Sequence, residues 1–507
     1  TLSVGLMFAL GIMGVMIYLR SKLLVKAGAC IEQELSVPVV EAMHEQAIKP
    51  GGEFYRKGLH DISLVKNAVS NSSLMTLIDA PWVCVYFAVL FFIHPLVAGV
   101  AFGGFFIVCV VYFLIRLFGK NRYVKADSIF TAGQEFVRES LNNADIVSGM
   151  YLLPDIIEIS RNKQKSSEIM NFEADSMVSA AEAVGTFIAM ISVAGVYGVG
   201  AYLFFNDSIT AGVMLASVLV TARIFIPVQK NFEGLKQSLE ALAAYKRLKH
   251  FIKRSNEERT LNLPKPEGRL SVENVVLVLN NRRVLQNIQF SINPGESLGI
   301  IGPSGAGKSQ LLRLILGIIP PTAGKVRLDG ADTSQWKDKG LGRYTGFVPH
   351  RPDLFSGKVD ENISRLKTVD SEKVIKAASK SFSHEMILKF PNGYDTMTGK
   401  AGSNLSAGQQ RRIAIARALY DDPSMVVLDR PNSDLDEEGM KALFQTMNNL
   451  KSEKTTLVMV TENPNLLMNT DKILFLKNGQ ISMFGSTKEV MEKLTNRQSV
   501  QQEQRHG

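Results

Sequence analysis

The feature that most restricts the possible folds of this chain is a long stretch without any charged side chain. No Asp, Glu, Lys or Arg occurs between Ala80 and Ile115, and a second uncharged stretch extends from Ala183 to Asn206. Soluble cores rarely contain such stretches, whereas a helix that crosses a membrane needs about 20 consecutive apolar residues. The first half of the chain is therefore predicted to be embedded in a membrane.

The apolar stretches can be counted as membrane spans. Five are predicted, at about Leu2–Leu19, Leu74–Ile93, Leu96–Ile115, Ala183–Phe205 and Ile209–Val228. The polar stretches Val25–Ser73 and Lys120–Glu182 have helical composition, so each is expected to be two helices that run away from the membrane and back. With a cytoplasmic C-terminal domain, an odd number of spans places Thr1 on the outer face. We therefore expect one further helix before Thr1, giving six.

The charge balance agrees with this topology. Lys and Arg number 57 against 48 acidic residues, a surplus that could indicate a nucleic-acid partner. The basic residues do not form one dense stripe interleaved with aromatic residues, and many follow apolar runs, as Arg20, Lys22 and Lys26 do. Such flanking charge is typical of the cytoplasmic ends of membrane helices. No nucleic-acid partner is expected.

Four segments follow from the change in composition along the chain. Residues 1–255 form the predicted transmembrane domain, and the charged, proline-bearing stretch 256–270 is a linker. Strand and helix patterns then alternate through residues 271–494, which predicts an α/β domain. Residues 495–507 are a polar tail that we expect to be disordered.

A phosphate-binding loop is predicted in the α/β domain. The sequence GPSGAGKS follows a buried strand and precedes a helix, which is the context that a loop of the form G-x-x-x-x-G-K-S requires. Lys308 is expected to neutralise terminal phosphates, and the Ser309 hydroxyl is expected to reach Mg²⁺. A chance glycine-rich turn is the alternative. The predicted cofactor-binding residues are Gly302, Pro303, Ser304, Gly305, Ala306, Gly307, Lys308, Ser309 and Gln310.

Two further segments carry polar groups that suit the same chemistry. The apolar strand MVVLD ends at Asp429, whose carboxylate could hold Mg²⁺ together with Ser309. Before it lies NLSAGQQRRIAIARAL, a glycine-containing turn that opens an amphipathic helix.

The order GPSGAGKS, LSAGQQRR, VVLD, SDLD resembles the ATP-binding cassette domain, whose signature is usually LSGGQ and here carries Ala407. The resemblance implies an all-α transmembrane domain of the type I exporter kind, followed by an α/β nucleotide-binding domain that uses ATP and Mg²⁺. It also implies a dimer with a second half-transporter subunit. Ser406 and Gly408 would then act on the partner's ATP.

Three segments of the membrane half are DAPWVCVYFAVLFFIHP, ESLNNADIVSGMYLLP and GVGAYLFFNDSITAGVMLASVLVTARIFIPV. These segments resemble the alkaline-protease and lipase branch of type I secretion ATPases, and the similarity begins at that family's second helix. Generic lipid-facing helices are the alternative, because apolar sequences match easily. The resemblance implies a bacterial inner-membrane exporter of a polypeptide, with a periplasmic membrane-fusion adaptor and an outer-membrane channel.

Three positions depart from the family pattern. The Glu that normally follows the Mg²⁺-binding Asp is Arg430, a Gln that senses Mg²⁺ and water is His350, and a His that contacts the γ-phosphate is Glu462. A guanidinium has no acceptor and cannot act as a base near neutral pH. We expect an ion pair between Arg430 and Glu462, and a site that binds MgATP but hydrolyses it poorly. Another residue replacing the lost base is the alternative.

These observations leave three hypotheses about function. The first is the degenerate member of a heterodimeric polypeptide exporter. The second is an exporter of a lipid or a small molecule, because the same kind of ATP-binding cassette drives the export of many different cargoes. The third is an ATP-dependent gate or regulator that does not hydrolyse ATP.

Overall fold

The computed structural model describes residues 2–48, 58–70, 72–233, 235–255, 264–336 and 341–494. The chain divides into two compact units, one made of Thr1–Glu45 and Phe54–Asn256 and the other of Gln46–Glu53 and Glu257–Gly507. The predicted tail, residues 495–507, lies outside the described residues, as does the part of the predicted linker at 256–263.

The described part of the first unit is helical. Its helices are α1 (Leu2–Ile48), α2 (Gly58–Ser70), α3 (Ser72–Ile93), α4 (Pro95–Asn142), α5 (Ala144–Gly149), α6 (Leu153–Phe205), α7 (Ala211–Glu233) and α8 (Leu235–Ser255). At 1.5 Å per residue, α4 and α6 are each over about 70 Å long, more than twice the hydrocarbon thickness of a bilayer. The polar stretches therefore continue the membrane helices, as predicted.

Three described helices are long and apolar enough to cross a membrane, with spans at Pro95–Ile115, within Leu153–Phe205 and at Ala211–Lys230. These coincide with the predicted third, fourth and fifth spans. A shorter apolar helical segment covers Pro81–Ile93. The side chains of residues 1–6, 9–10 and 71–80 lie outside the described set, so the first two spans stay predictions.

Apolar contacts between the long helices and ion pairs between helices hold the described part of the first unit together. Leu90, Val97, Val196 and Ile224, which come from α3, α4, α6 and α7, share a buried cluster. In a separate contact, the Arg247 guanidinium of α8 donates two hydrogen bonds, of 2.8 and 2.6 Å, to the fully buried carboxylate of Asp61 in α2.

The described part of the second unit alternates strands and helices. Its first elements are β1 (Leu270–Leu279), β2 (Arg282–Ile292), β3 (Ser297–Ile301), α9 (Lys308–Ile315), β4 (Ala323–Leu328), β5 (Ala331–Asp332), α10 (Leu341–Tyr344) and β6 (Thr345–Val348). They are followed by α11 (Val359–Ile363), α12 (Ser371–Lys380), α13 (His384–Leu388), α14 (Ala407–Leu419) and β7 (Met425–Asp429). The last are α15 (Glu437–Ser452), β8 (Thr456–Val460), α16 (Pro464–Met468), β9 (Lys472–Lys477) and β10 (Gln480–Ser486).

The strands form two sheets. An antiparallel sheet has the order β2-β1-β4-β5, and a six-stranded sheet has the order β10-β9-β3-β8-β7-β6. In the larger sheet, β8 pairs in parallel with both β3 and β7. Every residue of these three central strands is buried, which explains why each reads as a continuous apolar run. Their carboxyl ends meet at one edge, where ligands of α/β sheets bind.

Candidate nucleotide site

The phosphate loop connects β3 to α9 at that edge of the sheet. Gly302 and Gly307 both have positive φ angles, of 149° and 99°. A Cβ atom on Gly302 would lie 2.0 Å from the Leu476 carbonyl oxygen, and one on Gly307 would lie 2.7 Å from the Leu285 side chain. Only glycine satisfies both the conformation and the space. The loop therefore turns tightly and leads into the N-terminus of α9, the usual geometry of an anion site.

Lys308 is folded back onto this loop. Its side chain is 6% exposed, and its ammonium group donates hydrogen bonds to the carbonyl oxygens of Gly302 and, at 2.9 Å, of Pro303. Burial is the main cause that lowers the pKa of Lys308, and the positive charge of Arg430 lowers it further. The carboxylates of Glu462 and Asp429 act in the opposite direction. The ammonium group is thus held where it can meet the terminal phosphates of a nucleotide.

Ser309 and Asp429 are brought together, as predicted for a Mg²⁺ site. The Ser309 hydroxyl donates a 2.8 Å hydrogen bond to a carboxylate oxygen of Asp429, which ends β7. Both groups present hard oxygen atoms, the ligands that Mg²⁺ prefers. The side-chain oxygen of Gln310 is buried and has no hydrogen-bond partner among the described residues. Ser309, Gln310 and Asp429 therefore fit a Mg²⁺-bound nucleotide, and the metal would supply neutralisation of phosphate charge.

The predicted ion pair between Arg430 and Glu462 is present. A guanidinium nitrogen of Arg430 lies 2.9 Å from a carboxylate oxygen of Glu462. The same carboxylate oxygen lies 3.9 Å from the ammonium nitrogen of Lys308. One carboxylate therefore faces both cations at the end of the site where the terminal phosphate would bind. Neither Arg430 nor Lys308 can accept a proton from water while it remains charged.

The sheet explains why these distant residues converge. Lys308 comes shortly after β3, Arg430 directly follows β7, and Glu462 lies two residues beyond β8. Because β8 lies between β3 and β7 in the sheet, the three side chains emerge side by side. The Arg430 amide also donates a 2.8 Å hydrogen bond to the Val460 carbonyl, which joins the ends of β7 and β8.

Ser406 and Gly408 are not part of this cluster; their described contacts are with the first turn of α14 and the turn after β7. The Ser406 hydroxyl accepts a hydrogen bond from the Gln409 amide, and the Gln409 side chain accepts one from the Ser406 amide. This capping box fixes the start of the helix. A Cβ atom on Gly408 would lie 2.9 Å from the Asp434 carbonyl oxygen, so the close approach requires glycine.

His350 is joined to the site through a residue to which the sequence analysis gave no role. The His350 side chain is exposed, and its carbonyl oxygen accepts a 2.8 Å hydrogen bond from Arg411. Arg411 also donates a hydrogen bond of 3.3 Å to the Arg430 carbonyl. One feature of the sequence could have indicated that Arg411 is buried. It is one of two adjacent arginines in LSAGQQRR, and the residues that follow them in the helix are nearly all apolar.

Comparison with known proteins places the two units in one family. The sequence pattern of the ABC transporter transmembrane region matches residues 1–228, and that of the ABC transporter matches residues 285–433. The type I secretion system ATP-binding protein PrsD of Rhizobium meliloti (strain 1021) is 30% identical in sequence to this chain, and the match covers 99% of this chain and 88% of PrsD.

Two other proteins extend the comparison. The leukotoxin export ATP-binding protein LtxB of Aggregatibacter actinomycetemcomitans is 26% identical, over 86% of this chain and 62% of its own length. A solved structure of a bacterial Atm1-family ABC exporter with ATP bound has a TM-score of 0.84 and 19% identity, and the match covers 94% of this chain and 86% of that one. This likeness concerns the fold. Together with the phosphate loop and the helical membrane unit, these matches establish that the chain belongs to the ABC transporter family, as a multi-pass half-transporter of an ATP-driven exporter.

Proposed function

We propose that this chain is a subunit of a type I protein secretion exporter, and that its own nucleotide site binds MgATP but hydrolyses it poorly. The subunit works in the bacterial inner membrane, with its nucleotide-binding domain in the cytoplasm. It pairs with a second half-transporter subunit, and a periplasmic membrane-fusion adaptor and an outer-membrane channel complete the export path of a polypeptide cargo.

The observation that carries the proposal for the site is the 2.9 Å contact between Arg430 and Glu462. Binding is supported by the phosphate loop, by Lys308 and by the contact between Ser309 and Asp429. Hydrolysis needs a group that orients or deprotonates the attacking water, and a positioned general base commonly contributes about 10²–10⁴-fold in rate. Arg430 cannot fill that role, and Glu462 is held by the two cations next to it.

The relatives differ in the cargo that their names give. The relative from Rhizobium meliloti is named as a type I secretion ATP-binding protein and matches nearly the whole chain. A relative that matches 97% of this chain at 26% identity is instead the ABC-type oligopeptide transporter ABCB9 of Homo sapiens, and others are putative multidrug exporters. Export of a small molecule or lipid is therefore the second candidate for the cargo.

The signature segment LSAGQ supports a second role for this subunit. Ser406 and Gly408 are held at the N-terminal end of α14 by the capping box and by the close approach to Asp434. In this family each nucleotide lies between the phosphate loop of one subunit and the signature of the other. We propose that these two residues complete a competent site on a partner that keeps its own catalytic residues.

The test is ATP binding and ATP hydrolysis by the purified full-length protein, alone and as a variant that restores the family residues. The variant carries Arg430→Glu, Glu462→His and His350→Gln. We expect the unaltered protein to bind MgATP with little turnover, and the triple variant to hydrolyse ATP about 10²-fold faster or more. The same variant with Lys308→Ala is the control that should lose both activities, because it lacks the cation for the phosphates.

Two outcomes would decide against parts of the proposal. Rapid turnover by the unaltered protein would contradict the degenerate site. Purification of the transporter as a homodimer, with no catalytically intact sister subunit in the complex, would favour a gate that closes on ATP binding without hydrolysis.

A further inference from the structure

Arg411 is the charged side chain that joins the loops around the nucleotide site. It is 1% exposed, although it carries a full positive charge. One guanidinium nitrogen donates hydrogen bonds to the His350 carbonyl at 2.8 Å and to the Asp434 carboxylate at 3.0 Å. The other terminal nitrogen donates a hydrogen bond to the Arg430 carbonyl at 3.3 Å. A single side chain therefore contacts three separate loop positions.

These positions need support from outside their own loops. Arg430 and Asp434 both have positive φ angles, of 51° and 63°, which L-residues adopt only at a cost. The Asp434 side chain is about half exposed and its carboxylate is held by Arg411. A buried, planar guanidinium with several fixed N–H groups can hold three acceptors in one arrangement, which a lysine cannot do.

We propose that Arg411 is a positioning residue for the nucleotide site. It fixes the backbone at His350 and Arg430, and with them the side chains that border the Mg²⁺ and terminal-phosphate end of the site. The inference rests on the proposed binding of a nucleotide by this site. Since Arg411 belongs to the helix that begins at the signature, it also ties these loops to Ser406, whose side chain caps the same helix.

The next residue along the helix provides a matched control. Arg412 is also buried, at 7% exposed, but its guanidinium donates hydrogen bonds to the Phe382 carbonyl at 2.5 Å and to the Glu438 carboxylate at 3.2 Å. Neither acceptor belongs to the phosphate loop or to the loops at His350 and Arg430. Replacing either arginine removes a buried charge and its bonds, but only Arg411 holds the site.

The experiment compares Arg411→Gln with Arg412→Gln in the full-length protein. Dissociation constants are measured for a non-hydrolysable ATP analogue with Mg²⁺ and for ADP in EDTA, and the melting temperature is measured in parallel. We expect Arg411→Gln to weaken binding of the Mg²⁺-bound analogue about tenfold, which corresponds to about 1.4 kcal/mol. Binding of ADP in EDTA should change less than twofold, because it relies on the phosphate loop. Arg412→Gln should change both constants less than twofold.

Equal losses of both ligands in Arg411→Gln, or equal effects of the two arginine variants, would overturn the proposal and leave Arg411 a purely structural residue. If Arg411→Gln does not fold, Asp434→Asn removes only the ionic contact; a selective loss of about threefold for the Mg²⁺-bound analogue supports the proposal, and no selective loss overturns it. Because the analogue is not hydrolysed, the result does not depend on whether the site is degenerate. Failure of the unaltered protein to bind either ligand would instead contradict the proposed function.

Discussion

The substitution Glu462→Gln tests how the altered residues affect the preference between ATP and ADP. Glu462 is 63% exposed and lies 2.9 Å from Arg430 and 3.9 Å from Lys308. Lysine in this loop position reaches the β- and γ-phosphates of a nucleotide, so a γ-phosphate would have to share that cation with the carboxylate. Glutamine keeps the size and hydrogen-bonding ability of the side chain and removes its charge.

The expected magnitude follows from distance and exposure. Two unit charges 4 Å apart interact by about 1 kcal/mol in water and by about 4 kcal/mol at an effective dielectric constant of 20. Because Glu462 is more than half exposed, its repulsion of a γ-phosphate should lie near the lower value. About 1 kcal/mol corresponds to about fivefold in a dissociation constant. Release of Arg430 toward the phosphate acts in the same direction.

We therefore expect Glu462→Gln to tighten binding of MgATP about fivefold and to change binding of MgADP less than twofold. The assay is titration of both nucleotides into the purified full-length protein, with fluorescence or calorimetric detection. Glu438→Gln is the matched control, since Glu438 has the same exposure of 63% and also pairs with an arginine, Arg412. Unchanged or weaker MgATP binding in Glu462→Gln, or an equal gain for MgADP, would refute the reasoning.

Three further predictions concern the metal site and the stability of each unit. Ser309→Ala should remove most of the gain in ATP affinity that Mg²⁺ gives, because its hydroxyl faces Asp429; titrations with and without EDTA check this. Asp61→Asn should lower the stability of the membrane unit by about 1–3 kcal/mol, seen as a lower melting temperature, because it removes the buried negative charge that accepts two hydrogen bonds from Arg247. Burial raises the pKa of Asp471, but hydrogen bonds from Lys451 and Ser297 lower it more. Asp471→Asn should therefore lose about 1 kcal/mol at pH 7, measured by urea unfolding. Because the folded-state pKa is the lower one, this loss should be complete above the unfolded-state pKa of about 4 and should disappear only as the pH falls through the folded-state pKa.

Much of the architecture could be predicted because the strongest signals are local. The apolar runs give the predicted spans at about Leu96–Ile115, Ala183–Phe205 and Ile209–Val228, which coincide with helical segments long and apolar enough to cross a membrane. The strand, loop and helix around GPSGAGKS also occur as predicted, with α9 at Lys308–Ile315. The ends of elements were less predictable. For example, β2 begins at Arg282, several residues before the segment Ile288–Ile292 in which apolar and polar residues alternate, because it pairs with β1 along its length.

The site divides into parts that a motif reveals and parts that only the packed fold reveals. The pair between Arg430 and Glu462 could be predicted because both residues occupy positions whose places in the family are known. The role of Arg411 could not, because its three acceptors are two carbonyl groups and one carboxylate from other segments. Every residue has a backbone carbonyl group, whatever its side chain. A sequence pattern therefore cannot show which of these carbonyls a buried arginine will contact.

The charges at Arg430 and Glu462 depend on each other, and this limits which changes are informative. Arg430→Glu alone would place two carboxylates where one ion pair now lies, next to the phosphate they must both approach. Glu462→His alone would instead leave two or three cationic groups together, since Lys308 is already close. Either single reversion should therefore disturb the site for electrostatic reasons before any catalytic gain can be measured. Arg430→Glu and Glu462→His made together keep one attractive contact between the two positions and restore a carboxylate that can act on water.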